Sequence, residues 1–383
     1  MSGKRSIFEE VSDDTVAQKP RAGGVIDQGR DAWRNTARLW MTLLFALVVV
    51  MIVVGGLTRL TDSGLSITEW NVIKGALPPF SEAAWLVEFD KYKAIPEYQL
   101  QNKGMSLAEF KTIYWWEWGH RQLGRLIGLV WAIGFAYLMI RYTIPRGWVG
   151  RMLLLGALGG MQGAIGWWMV SSGLTGRMVD VASYRLATHL GLAFIILSLL
   201  LWYMLRLKRS EMEMFQAQRN EDRPMARIGL VLYGVTFIQI LLGALVAGID
   251  AGRGYIDWPL MNGQFLPSES FDYTPFLSNF FENPALVQFN HRMMGYILFG
   301  FVIWIFFRAK RSPHAIVQST AKAVMVMAVL QMLLGIFTVL YAAPWYFAIL
   351  HQLGAVMLLG LVVKLNFDAR SPFSRAITSA QMG

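Results

Sequence analysis

Five histidines stand in the chain, and four of them fall at matching places. His120 opens HRQLG (120–124) and His291 opens HRMMG (291–295), while His189 opens HLGLA (189–193) and His351 opens HQLGA (351–355). A neutral imidazole is a ready metal ligand. Two such rings facing each other across a helix bundle suit a low-spin heme iron. Zinc suits the pattern less well, because the chain has no cysteine and neither pair shows a third ligand. One histidine in an apolar helix is explained by a hydrogen bond to its neighbour, whereas two matched pairs at one depth point to ligation. The fifth, His314, lies in the basic segment RSPH and reads as solvated.

The neighbours of these histidines bear on the same chemistry. Gly124 and Gly295 each follow a histidine by four residues and share its helix face. A flat macrocycle on that histidine needs a small adjacent turn, although close helix packing would use glycine equally well. Glu117 lies three residues before His120, on the same face. A carboxylate there could act as a base or stabilise positive charge developing on a substrate. The matching position before His291 is Gln288, nearly isosteric but unable to take up a proton. That difference assigns chemistry to one half and the holding of a cofactor to the other. A plainer role for Glu117 is an i, i+4 ion pair with Arg121. Arg121, Arg185 and Arg292 lie near the same surface, as candidates to pair with heme propionates or to snorkel to lipid headgroups.

The elements that must position these residues are membrane spans. Of the 383 residues, 55% are hydrophobic and 16% charged, a balance too apolar for an ordinary soluble fold. A span needs roughly 20 largely apolar residues, and eight such stretches are expected near 39–58, 115–140, 152–171, 186–205, 228–249, 286–307, 323–341 and 346–363. The last two are separated only by AAPWY (342–346), a tight turn. With the N-terminus inside, the inner segments (1–38, 141–151, 206–227, 308–322, 364–383) hold 23 Lys and Arg, against 9 in the outer ones. Both termini are therefore expected in the cytoplasm, with the histidines toward the outer side. The net charge of +10 follows from cationic inner loops and calls for no nucleic acid. The first residues carry too many acids for a mitochondrial presequence and lack an early apolar core, so they read as a cytoplasmic tail of a bacterial inner-membrane protein.

The chain also repeats itself. Residues 56–79 align without gaps to 244–267, matching Asp62 to Asp250, Gly64 to Gly252, Trp70 to Trp258, Gly75 to Gly263 and Pro79 to Pro267. Gln162 and Gly166 match Gln331 and Gly335. The expected fold is all-α and polytopic: eight transmembrane helices as two tandem, pseudo-symmetric four-helix bundles related by an axis along the membrane normal. The boundaries expected are a tail at 1–37, an N-terminal bundle at 38–207 with the site assigned to chemistry, and a linker at 208–227. A C-terminal bundle at 228–365 with the cofactor heme site and a tail at 366–383 follow. In the long first outer loop, 81–92 and 106–116 both open on Ser with an early acid, and SLAE (106–109) has the capping-box pattern. These segments could roof the N-terminal site or lie as interfacial packing.

On TDSGLSITEWNVIKGALPP (61–79), EWGHR (117–121), NHR (290–292), ATHLG (187–191) and LHQLG (350–354), the chain resembles the heme A synthase family of proteobacterial and mitochondrial type, over essentially residues 38–365. The resemblance implies a heme-dependent oxidoreductase that converts a ring methyl of heme O to a formyl group, giving heme A for terminal oxidases. It implies that His120, His189 and Glu117 form the substrate heme site and that His291 and His351 hold a heme b. It further implies heme O as substrate, with heme O synthase and an electron donor or acceptor as partners. A homo-oligomer is compatible with all of this. Some members carry a cysteine pair in the first outer loop. This chain has none, so cysteine-dependent electron or heme transfer does not apply to it.

Two other readings stay open on the residues. A membrane diheme electron carrier or quinol oxidoreductase usually stacks hemes at two depths, often from two histidines on one helix, unlike the single depth here. A non-enzymatic heme-transfer protein would have no need of Glu117. A heme O-forming prenyltransferase would need aspartate-rich motifs, and none is found.

Overall fold

The computed structural model describes residues 25–176 and 178–372, with side chains from residue 32. Most of the expected N-terminal tail, and the C-terminal tail beyond residue 372, lie outside the described residues. Twelve α-helices follow in order: α1 (Val25–Leu60), α2 (Glu82–Lys93), α3 (Pro96–Leu100), α4 (Leu107–Arg141), α5 (Arg146–Val170), α6 (Ser183–Leu207), α7 (Glu211–Arg219), α8 (Arg223–Gly248), α9 (Asn279–Glu282), α10 (Pro284–Ala309), α11 (Ala315–Leu340) and α12 (Trp345–Arg370). Among the described residues there is no strand, only an isolated bridge between Met261 and Gln264.

Eight helices are long and apolar enough to cross a bilayer: Ala32–Leu60 of α1, then α4, α5, α6, α8, α10, α11 and α12. All eight stretches read from sequence are present, and each helix starts before the apolar window that announced it. The extra turns are polar or interfacial, and side-chain caps open α4, α8 and α10. Ser106 accepts from the Glu109 backbone N–H while the Glu109 carboxylate accepts from the Ser106 N–H, so the capping box opens α4. Segment 106–116 is therefore the outer end of a spanning helix and not a separate surface helix. Pro224 and Pro284 sit in the first turns of α8 and α10, where a missing N–H costs nothing. At the AAPWY turn, Ala342 and Ala343 both adopt left-handed backbone and Pro344 starts α12.

Helices α1, α4, α5 and α6 close one ring of contacts, and α8, α10, α11 and α12 close another. The rings meet where α6 packs on α8 and α12, and α1 packs on α12. The largest apolar core runs from Trp33 and Met41 through Leu200 to Ile240, Val356 and Leu359, so the first ring shares its interior with the second. Outside the spans, α2 and the outer end of α4 form a second apolar cluster with Trp85, Phe89, Tyr92, Phe110 and Tyr114, closed over by Leu65, Val170 and Val181. That cluster roofs the end of the first ring on which His120 and His189 lie.

Candidate heme sites

Each histidine of the two pairs sits on the second helix of a hairpin and rests on a glycine of the first. A Cβ on Gly55 would stand 3.3 Å from the His120 ring, one on Gly166 2.8 Å from His189, one on Gly243 2.9 Å from His291, and one on Gly335 3.0 Å from His351. Four helical hairpins thus build the same seat. A β-carbon at any of them would push the imidazole off its position. Gly124 and Gly295 are different: a Cβ there would meet only Met51 at 3.6 Å and Gln239 at 3.4 Å, respectively. Both leave the turn below their histidine uncrowded.

In the second half the structure brings the two histidines together. The His291 and His351 rings stand 6.4 Å apart, centre to centre, and nearly perpendicular. Two metal–nitrogen bonds of about 2 Å plus two ring half-widths come to about 6 Å, so this spacing suits one iron between two imidazoles. All four histidines are partly rather than fully buried. The Nδ1 of His351 and the amide oxygens of Gln162, Gln239 and Gln331 are buried without a hydrogen-bond partner. Cleared seats and unpartnered polar atoms beside the histidines fit residues that would ligate a heme. Among the described residues no cluster of three or more His, Asp or Glu could hold a bare metal ion.

Glu117 is buried, 3% exposed. Its Oε2 accepts from the Ser66 hydroxyl at 2.8 Å and the Ile67 backbone N–H at 2.7 Å. Its Oε1 accepts from Arg121 at 2.6 and 3.1 Å, so the i, i+4 ion pair forms. Arg121 goes on to donate to the carbonyls of Ile67 and Glu69. The TDSGLSITEW loop is therefore folded onto α4 by this pair. In the second half Gln288 donates to the carbonyl of Tyr255, the repeat partner of Ile67, at 3.0 Å. Arg292 donates to the carbonyls of Asp257, Pro259 and Leu260. The third arginine, Arg185, donates to the Trp168 carbonyl and stacks over the Trp168 ring. All three arginines lie near the histidines' end of the spans, and each has partners within the protein.

Two features at this end escaped sequence reasoning. Arg59, at the outer end of α1, pairs with Asp62 and Asp250 at 2.9 Å each and with Asp180 at 3.6 Å. Asp62 and Asp250 are repeat partners, and both have left-handed backbone with φ of 48° and 51°, a conformation Asp tolerates. The repeat had marked the two aspartates, but not their shared counter-ion. The second feature is Glu97 in α3, 3% exposed, with Oε2 unpartnered. Burial, with Asp180, Asp62 and Glu117 nearby, pushes its carboxyl up to about 8. A charged residue in PEYQL reads as solvated, and nothing in the sequence signalled its burial. The glycine seats did leave a signal: Gln162–Gly166, Gln239–Gly243 and Gln331–Gly335 share one spacing, and Met51–Gly55 shares it with methionine in place of glutamine.

Residues 38–363 match the cytochrome oxidase assembly protein family. Similar sequences include a heme A synthase of Dinoroseobacter shibae, 58% identical over 381 residues that cover 99% of this chain and 100% of that protein. Heme A synthases of Ruegeria pomeroyi, 55% identical over 98% of this chain and 100% of that one, and of Paracoccus denitrificans, 53% identical over 98% of each, are also similar.

Proposed function

The chain belongs to the heme A synthase family, and from that premise we propose that it oxidises a ring methyl of heme O to the formyl group of heme A at the His120–His189 pair, with heme b held by His291 and His351. It is a multi-pass membrane enzyme with heme O as substrate. The observation that carries the division of labour is the unequal pair Glu117 and Gln288: two equivalent histidine seats, and an acid beside only one.

The residues fit both roles through their cleared seats, and His291 and His351 also through facing imidazoles. Heme b, when bound, supplies one-electron redox capacity. His120 and His189 orient the substrate macrocycle. Turning a methyl into a formyl group removes hydrogen from carbon and adds an oxygen, so positive charge and protons must be accommodated near that carbon. Glu117 already accepts four hydrogen bonds. That arrangement favours a fixed negative charge stabilising the transition state over a free base, which would first have to shed Arg121 or Ser66. The aromatic cluster of α2 and α4 packs at the same end of the first ring. The excess of Lys and Arg in one set of loops supports cytoplasmic termini and heme sites toward the outer face. A heme O synthase that supplies the substrate, a source of the formyl oxygen, and an electron acceptor if that source is water or a donor if it is dioxygen are the partners this chemistry requires.

The test is Glu117→Gln, which gives the first half the side chain of the second. Heme A output should fall roughly a hundredfold or more, while the purified protein keeps its C-terminal heme. A variant with full heme A output would remove Glu117 from the reaction.

A further inference from the structure

The four hairpins share a seat but not its second residue. At three of them the glutamine four residues before the glycine donates its amide N–H to the backbone carbonyl of the histidine, at 3.0 Å for Gln162 and His189, 3.0 Å for Gln239 and His291, and 2.8 Å for Gln331 and His351. The same nitrogen stands 3.3 Å from Nδ1 of His189 and 3.1 Å from Nδ1 of His291. In all three the amide oxygen is buried and unpartnered. At the fourth hairpin the position is Met51.

A neutral imidazole has one N–H and one lone pair. A ring that gives its Nε2 lone pair to iron carries its proton on Nδ1, and a buried proton of that kind needs an acceptor. The unpartnered glutamine oxygen meets that need once the amide turns about its soft terminal torsion, exchanging its bond to the histidine carbonyl for one from Nδ1–H. Met51 has only a weak thioether acceptor to offer. The His120 ring also sits differently. A Cβ on Gly55 would meet its Cε1 and Nε2, whereas at the other three seats Nδ1 lies nearer than Nε2.

The geometry points to Gln162, Gln239 and Gln331 as positioning residues whose amide oxygens accept the Nδ1–H hydrogen bond of three ligand histidines, leaving His120 as the one unanchored and exchangeable ligand. This rests on the assignment of the four histidines as heme ligands. It gives that assignment an asymmetry independent of Glu117. A heme that stays needs two anchored ligands, and the C-terminal pair has them. A heme that arrives as substrate and leaves as product needs one ligand that lets go, and the N-terminal pair has one of each.

The experiment uses the full-length protein purified in detergent with its hemes. Gln239→Met and Gln331→Met place the residue of position 51 in the second half. Each should shift the midpoint potential of the C-terminal heme upward, because losing the acceptor makes the ligand less basic, and Gln239→Glu should shift it downward. Met51→Gln should slow transfer of the N-terminal heme to apomyoglobin about tenfold or more. Unmoved potentials in the glutamine variants with heme still bound, or an unchanged release rate in Met51→Gln, would overturn the inference. Should Gln239→Met fail to fold, Gln331→Met and Met51→Gln carry the test. His291→Ala separates the two levels of the argument: if it keeps the C-terminal heme, the ligand assignment itself fails. If that heme is lost while the glutamine variants leave potentials unmoved, only the positioning role fails.

Discussion

Glu117 and Gln288 hold equivalent places, yet the loop each one meets presents the opposite group. The first accepts from the Ile67 N–H, and the second donates to the Tyr255 carbonyl. The difference visible in sequence is thus built into the loops as well as the side chain. Its role as a loop anchor was not visible, because that depends on where residues 66 and 67 return to α4. Glu97 offers a pH test of the same roofed region. Its carboxyl is raised to about 8 in the folded protein, from an ordinary value of 4.5. Below the ordinary value it is protonated in both states and costs nothing. Between the two values the folded state holds a proton that the unfolded state has lost, so stability falls as pH rises, and the loss is complete above the folded value. Glu97→Gln should remove that part of the slope, gaining on the order of a few kcal/mol at about pH 9 relative to about pH 5. Melting curves of both proteins in detergent across that range check this, and parallel pH profiles would contradict it.

At the scale of elements, the eight spans, the AAPWY turn and the capping box of α4 were legible in the sequence. Hydropathy, proline and cap residues act locally, and local signals survive in one dimension. Helix ends were less legible, since α4 extends outward through residues that serve the aromatic roof. The glycine seats lay between these cases. Gln162, Gly166, Gln331 and Gly335 stood out as repeats, but their use appears only when one helix is laid against the next. Graded clashes follow from the geometry. Gly166→Ala and Gly243→Ala, where a Cβ would come within 2.8 and 2.9 Å of the imidazole, should displace their rings and strip the corresponding heme. Gly55→Ala, at 3.3 Å, should be the mildest of the series. Heme retained per protein, read from absorbance after purification, measures this. Full retention in Gly166→Ala and Gly243→Ala would show that the seats are not used.

Across the whole molecule, the repeat foretold two four-helix rings, and the structure adds what joins them. A shared apolar core lies at the centre, Gln352 of α12 donates to the Ile52 carbonyl of α1 at 2.8 Å, and Arg59 gathers aspartates from three outer loops. Such joints were illegible because each links segments far apart in sequence. Arg59→Gln would leave Asp62, Asp180 and Asp250 facing one another without their common cation. The expected cost is about 2 kcal/mol, less than for a fully buried pair because the acids are about a third exposed. A lowered melting temperature that Asp250→Asn partly restores would support this joint, and an unchanged one would not.

The division of labour between the halves is the central claim, and pigment analysis of two purified variants tests it most directly. His291→Ala should lose heme b while keeping heme O or heme A, and His120→Ala should keep heme b while losing the other two. Loss of the same heme species from both variants would contradict the assignment of substrate to one half and cofactor to the other.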